Sequence, residues 1–182
     1  MRIIGGTAKN RKIKVPRIHG TRPTLDNVKE ALFNILGEFI QGKTILDLYA
    51  GSGSLGIEAL SRGAKNITLV DSNPKCISVI QDNLKNLGFS KQTVVLNLKA
   101  SQAIELFSRT KKRFDLVILD PPYGMAKKSL NILAKSDILK SHSFIVVEHF
   151  KKEILPEKNH DLTHKRTTRY GDTCLSFYTT TD

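Results

Sequence analysis

Cysteine is scarce and poorly placed for chemistry. The chain has two, Cys76 and Cys174, with no C-x-x-C pair and no Cys/His ligand spacing, which argues against a disulfide framework and a zinc site. Both read as reduced, buried fillers. Long hydrophobic runs are also missing: no stretch approaches the roughly 18 apolar residues of a membrane span. The opening MRIIGGTAKNRKIKV lacks the apolar core and small-residue cleavage site of a secretion signal. A cytoplasmic protein with no membrane association is expected. Repeats and low-complexity segments are absent, and 182 residues suit one α/β domain with a full core and are too few for two ordinary ones. No feature demands a dimer, so a monomer is expected.

Acid is missing where base is densest. Between Met1 and Leu25 stand Arg2, Lys9, Arg11, Lys12, Lys14, Arg17 and Arg22, with no Asp or Glu. Across the chain 29 Lys+Arg face 17 Asp+Glu, a net charge of +12, and the pI is near 9.8. A polyanionic partner follows from this surplus. Ile3, Ile4, Ile13 and Val15 around GGTAKN make the arm an ordered hairpin. Residues 1–22 therefore read as a basic hairpin for a polyanion, with Arg11, Lys12 and Lys14 as its contacts, and residues 23–182 as the main domain.

From Thr24, a candidate N-cap after Pro23, the spacing of Val28, Ala31, Leu32, Ile35, Leu36 and Phe39 predicts a helix. Buried strands are predicted over Thr44 to Tyr49, Ile67 to Asp71, Val94 to Leu98, Phe114 to Leu119 and Ser143 to Glu148. Helical patterns lie between them, around Leu55 to Arg62, Pro74 to Leu87, Ser101 to Phe107 and Ser129 to Ala134. Strands alternating with crossover helices imply an α/β, doubly wound, Rossmann-like parallel sheet. HKRTTRYGDTCLSFYTT adds an antiparallel hairpin about Gly171-Asp172. Seven strands are expected in all.

After the first predicted strand, DLYAGSGSLGIEALSRGA places Gly51, Gly53 and Gly56 in G-x-G-x-x-G spacing, which permits a tight turn and close approach of backbone to a ligand. Asp71 ends the second strand twenty residues on, where it can bind the two hydroxyls of an adenosine ribose. NAD uses the same device to seat a pyrophosphate on a helix N-terminus. Asp47 would oppose such an anion and attract the sulfonium and ammonium of S-adenosylmethionine. Ala50 and Ser52 in the loop, Ser72 beside the acid and the backbone of Ala100 complete the candidate cofactor set. Metal ligands are not expected.

VILDPPYG raises the sharpest question. Two successive prolines remove two backbone donors and fix two φ angles, and each pushes its predecessor out of the helical region. The fourth strand of a doubly wound sheet neighbours the first, so Asp120 is expected to face the cofactor at the switch point. An exocyclic base amine is a poor nucleophile that needs orienting. The Asp120 carboxylate and Pro121 carbonyl can accept its two N–H bonds at a corner stiffened by Pro122, with Tyr123 stacked on the base, a contact worth about 1–3 kcal/mol. Such a base must first leave its stack.

RPTLDNVKEALFNIL, DLYAGSGSLGIEALSRGA, LVDSNP, FDLVILDPPY and RYGDTCLSFY, in this order, closely resemble the RsmD-type methyltransferases over essentially the whole chain. The resemblance implies a class I S-adenosylmethionine-dependent fold. It implies methyl transfer to the N2 amine of one guanine in 16S rRNA within a 30S subunit or assembly intermediate, with S-adenosylhomocysteine as product. It places Asp47, Gly51, Gly53 and Asp71 on the cofactor, Asp120 to Tyr123 on the guanine, and Arg22 and Thr24 of R-P-T near the active-site mouth. Many methyltransferases offer Asp or Asn at the end of the third strand to the adenine amine. LNLKASQA places Lys99 there, with Asn97 or the Ala100 backbone as substitutes. The competing readings are a DNA adenine-N6 methyltransferase and a non-catalytic RNA-binding assembly factor.

Overall fold

The computed structural model describes residues 1–16 and 26–180. Arg17, Arg22, Pro23 and Thr24, and with them the expected N-cap and mouth residues, lie outside the described residues. The chain forms two compact units, Met1–Asn97 and Leu98–Asp182.

The first unit is built on three parallel strands, β1 (Thr44–Leu48), β2 (Asn66–Asp71) and β3 (Thr93–Asn97), in the order β3-β2-β1. Four consecutive residues of β1, Ile45 to Leu48, are buried, the pattern of a strand covered on both faces. Helix α1 (Asp26–Leu36) precedes β1 through a 3₁₀ turn, and α2 (Ser54–Ser61) and α3 (Pro74–Leu87) are the crossovers. Asn73 caps α3 by accepting from Lys75 N–H, Pro74 occupies its first turn, and Gly88 ends it with φ 78°, as N-cap, N1 and C′ preferences require. The buried face of α1 is Val28, Lys29, Leu32, Phe33 and Leu36. It is rotated from the expected stripe because a lysine occupies a core position.

The second unit contains β4 (Phe114–Leu119), β5 (Leu139–Phe150), β6 (Lys158–Asn159), β7 (Leu162–Tyr170) and β8 (Thr173–Thr180), ordered β4-β5-β8-β7-β6, with helices α4 (Ala100–Arg109) and α5 (Ala126–Ala134). β4 and β5 are parallel and the remaining pairs antiparallel. The hairpin about Gly171-Asp172 forms as expected. The described strands number eight instead of seven, because two-residue β6 is too short to leave a pattern. β5 also begins four residues earlier than expected. Lys140 to Ser143 are all polar, so no apolar pattern announces the earlier start.

The N-terminal residues fold back as a compact loop pinned by one antiparallel bridge, Arg2↔Lys12, with Ile3 N–H donating to Arg11 O at 3.0 Å and Ile13 N–H to Met1 O at 3.1 Å. Ile3 and Ile13 are buried. The arm is held on the C-terminal end of α2: Thr7 N–H donates to Ser61 O at 2.7 Å, and Ala8 N–H to Ser61 Oγ at 2.9 Å. Gly6, at φ 74°, has no room for a side chain, since a Cβ there would stand 1.7 Å from the Ser61 carbonyl oxygen. Both the conformation and the contact exclude other residues. The expected result for Gly6→Ala is a loss of about 1–3 kcal/mol, read as a lower urea midpoint. An unchanged midpoint would show that the arm contributes nothing to the unit's stability.

Candidate active site

In the first unit the chain turns as soon as β1 ends. Tyr49, Gly51 and Gly53 adopt φ of 67°, 56° and 78°. A tyrosine in that region costs about 1–3 kcal/mol and persists only where its surroundings over-determine it. Ala50 N–H donates to Val70 O at 2.9 Å, holding the loop to the end of β2. Gly51 N–H donates to Asp71 Oδ2 at 2.9 Å, and the other carboxylate oxygen accepts from Asn73 N–H at 2.8 Å. A carboxylate has about four acceptor sites, so half-exposed Asp71 retains capacity for hydroxyl donors. Asp47 lies beneath the loop at 1% exposure, its Oδ2 accepting from Gly56 N–H at 3.0 Å. A Cβ on Gly56 would come within 2.5 Å of Ile67 and Leu69 side chains, so glycine here sets how closely α2 lies on β2. Ala50 and Ser52 are nearly buried and Ser72 is exposed.

Asn97, and not Lys99, ends the third strand. It stands opposite Asp71 in register, and its Nδ2 donates to the Asp71 carbonyl at 3.0 Å. Lys99 falls two residues later, where its N–H donates to the Gln102 side chain at 3.1 Å and opens α4 at Ala100. The strand ends one residue before its apolar pattern does, and that residue decides which side chain occupies the rim. The donor set, two carboxylates and an amide around an open turn with clear space at Gly51, suits a ligand bearing vicinal hydroxyls and positive charge and opposes phosphate.

In the second unit β4 delivers the elbow. Phe114 and Leu116 to Leu119 are buried, Asp120 is half-buried, Pro121 is buried and Pro122 is exposed. Tyr123 is 50% exposed, and its ring lies 5.2 Å from that of Phe150 at an interplanar angle of 42°. Met125 N–H donates to Pro122 O at 3.1 Å, closing the turn into α5. The Glu153 carboxylate accepts from Gly124 N–H at 3.2 Å and Lys127 N–H at 3.0 Å. The last residue of β5, Phe150, thus grips the elbow on its ring side, and Glu153, just past the strand, on its backbone side.

The three arm cations differ. Lys12 is exposed, Arg11 donates to the Asn86 carbonyl of α3, and Lys14 pairs with Asp82 at 2.8 Å.

The family model described as Conserved hypothetical protein 95 matches residues 1–179. The chain is 37% identical over 172 residues to Ribosomal RNA small subunit methyltransferase D of Haemophilus influenzae, covering 92% of this chain and 89% of that protein. It is 38% identical over 160 residues to the protein of the same name in Escherichia coli K12, covering 86% and 78%. The chain belongs to the RsmD-type methyltransferase family. Its fold is the class I Rossmann-like methyltransferase fold. A hypothetical protein of Thermus thermophilus superposes on it with a TM-score of 0.84 at 27% identity, covering 97% and 98% of the two chains. This RsmD-type chain is accordingly an S-adenosylmethionine-dependent methyltransferase.

Two supports of the elbow escape a sequence reading. Glu153 and Phe150 stand some thirty residues beyond it, and HFKKEIL carries no motif. Their only trace is an acid amid lysines just past a strand end. His149 is 5% exposed. Its Nδ1 lies 3.1 Å from the Phe150 carbonyl, so that nitrogen carries the proton, and Nε2, 2.8 Å away, accepts from Ser176 Oγ. Burial holds its pKa below the ordinary 6.5.

Two outcomes follow. Glu153→Ala should speed hydrogen exchange at Gly124 and Lys127 by about tenfold, with amides of β4 unchanged; equal rates in both proteins would remove Glu153 as a clamp. For His149 the unfolded chain takes up a proton before the folded one, so its contribution is present above about pH 6.5 and is lost as pH falls through that value toward the lower folded pKa. His149→Asn should therefore flatten the fall in urea-derived stability between about pH 7 and pH 5. An unaltered slope would mean that other groups carry it.

Proposed function

We propose that this protein methylates the exocyclic N2 of a guanine in 16S rRNA, acting as a monomer in the cytoplasm on a 30S subunit or assembly intermediate. The observation that carries the reading is the near full-length match to relatives named as small-subunit rRNA methyltransferases. The acidic proline elbow and the +12 charge support it. Among the described residues no helix is long and apolar enough to cross a membrane, and no acid, His or Cys cluster suits a metal ion.

When bound, S-adenosylmethionine would supply a sulfonium-activated methyl group, with S-adenosylhomocysteine as the leaving product. Asp71 holds the ribose hydroxyls, and Asn97 stands beside it at the adenine end. Asp47, under the glycine loop, sets a negative potential for the cationic end, and Ala50 to Gly53, Ser72 and the Ala100 backbone are the remaining residues assigned to the cofactor. The Asp120 carboxylate and Pro121 carbonyl accept the two amine N–H bonds and aim the nitrogen lone pair. Pro122 keeps the corner stiff and Tyr123 stacks on the base. Catalysis is positioning plus stabilisation of the positive charge that grows on nitrogen. The methylated amine is strongly acidic and releases its proton to water, so no dedicated base is needed. Arg11, Lys12, Lys14, Arg22 and Thr24 contact the RNA.

Incubation with labelled donor and undermethylated 30S particles, naked rRNA or duplex DNA tests the reading. Label should appear on guanine N2 of 16S rRNA. Asp120→Ala should lower kcat by at least about 10³-fold with donor affinity within a few fold. Label on DNA adenine, or on nothing, would overturn the proposal, and equal loss of donor binding and turnover would make Asp120 a wall of the cofactor pocket.

A further inference from the structure

Two buried polar side chains bridge the basic arm to the glycine loop, and they do so on either side of Gly53. Asn83, on α3 at 2% exposure, accepts Lys14 N–H at its Oδ1 at 2.8 Å. Its Nδ2 donates to the Lys14 carbonyl at 3.0 Å and to the Ser52 carbonyl at 3.1 Å. Lys29, on α1 and fully buried, donates from Nζ to the Arg2 carbonyl at 2.6 Å and to Ser54 Oγ at 3.2 Å. The two ends of the arm, Arg2 and Lys14, are thus each fixed by a side chain that also fixes a residue of the loop, Ser54 and Ser52. Neither Asn83 nor Lys29 is among the residues assigned to cofactor or substrate.

We propose that Asn83 and Lys29 are positioning residues that couple the arm to the cofactor loop, so that docking of residues 1–14 and binding of the cofactor are one linked equilibrium. The physical argument is one of shared partners. The Asn83 NH₂ carries two N–H donors, one for each carbonyl, so both bonds are made only while Lys14 and Ser52 keep their positions about one amide plane, and buried carbonyls that lose a donor are destabilised. Movement of Ser52 away from its position therefore weakens the hold on Lys14, and release of Lys14 frees Ser52. Linkage then requires reciprocity: a ligand that favours the ordered loop tightens the arm, and a ligand that favours the docked arm raises affinity at the loop by the same factor. The consequence for function is that a polyanion engaging Arg2, Lys9 or Lys12 on the exposed side of the arm strengthens cofactor binding without touching the cofactor. The inference rests on the reading of this loop as the S-adenosylmethionine site.

Hydrogen exchange with and without saturating S-adenosylhomocysteine tests it. In the wild-type protein the ligand should slow exchange of the Ile3, Ile13 and Lys14 amides by about tenfold. Asn83→Asp keeps the size and the acceptor for Lys14 N–H but turns the shared donor into an acceptor facing two carbonyls. It should abolish that protection and weaken S-adenosylhomocysteine binding by about tenfold in calorimetric titration. Gly6→Ala, which loosens the arm at Ser61 and leaves the loop sequence intact, should weaken binding similarly. Ligand binding that leaves the arm amides of the wild type unchanged overturns the proposal whether or not the variants fold. Arm protection together with no methylation of RNA would leave the coupling standing and overturn the proposed substrate.

Discussion

A carboxylate with no access to water holds the first unit together at its N-terminal side. Glu58 lies within α2 at 0% exposure and accepts from the N–H groups of Ile4 and Gly5, each at 2.8 Å. Arg62 Nε stands 2.8 Å away and Lys29 Nζ 3.6 Å. An isolated buried anion is far too costly to survive, and removing one partner of such a group typically costs about 3–5 kcal/mol. Arm, α1 and α2 are therefore joined through one side chain. The burden falls visibly on Lys29, whose pKa is held below the ordinary range, first by burial and against the raising influence of Glu58. The arm is ordered because its backbone amides complete the shell of that carboxylate, and without them Glu58 would be left with its two cations alone.

The same device recurs at each functional loop. Asp47 accepts from Gly56 N–H under the glycine turn, Asp71 from Gly51 and Asn73 at its rim, and Glu153 from Gly124 and Lys127 beside the elbow. Charge-assisted bonds to backbone donors are stronger than neutral ones, and they fix backbone, which is what a loop that must hold a ligand needs. The allocation has an electrostatic cost. With 17 acids in the chain, carboxylates committed to amides leave fewer for cations. Other carboxylates do pair with lysines nearer the surface: Lys14 with Asp82, half-buried Lys140 with half-buried Asp115, and Lys151 with Asp172. The positive surplus of the surface follows in part from using acids as internal struts.

What was readable in the sequence divides along physical lines. Buried strands announce themselves by unbroken apolar runs and α3 by its caps, so β4 and α3 match their expected bounds at Phe114–Leu119 and Pro74–Leu87. The glycine loop and the elbow were visible because each needs rare residues in fixed spacing. The struts were not. Glu58 sits in an otherwise apolar helix, where i,i+4 pairing with Arg62 reads as surface decoration, and Lys29 reads as the polar side of α1. Their partners include backbone groups of the arm, 27 residues from Lys29 and more than 50 from Glu58, which no side-chain pattern records. The end of β3 failed for a different reason: Leu98 prolongs the apolar run past the last paired residue, and a one-residue extension of that kind shifts the rim from Asn97 toward Lys99.

Order in the arm changes the energetics of the polyanion contact that its charge implies. A disordered basic tail binds RNA only after losing the conformational freedom of each residue it lays down, about 1–2 kcal/mol apiece for backbone. Here that loss is met during folding, by Ile3 and Ile13 in the core and by the Glu58 and Asn83 bonds. The exposed cations Arg2 and Lys12 stand opposite each other across the bridge at a fixed spacing. Preorganised charges lose less on binding, and a fixed spacing discriminates among phosphate geometries where a flexible tail accepts all of them. The buried carboxylate and amide that order the arm thus also fix the spacing of its exposed cations, and a change that frees the arm would lose both at once.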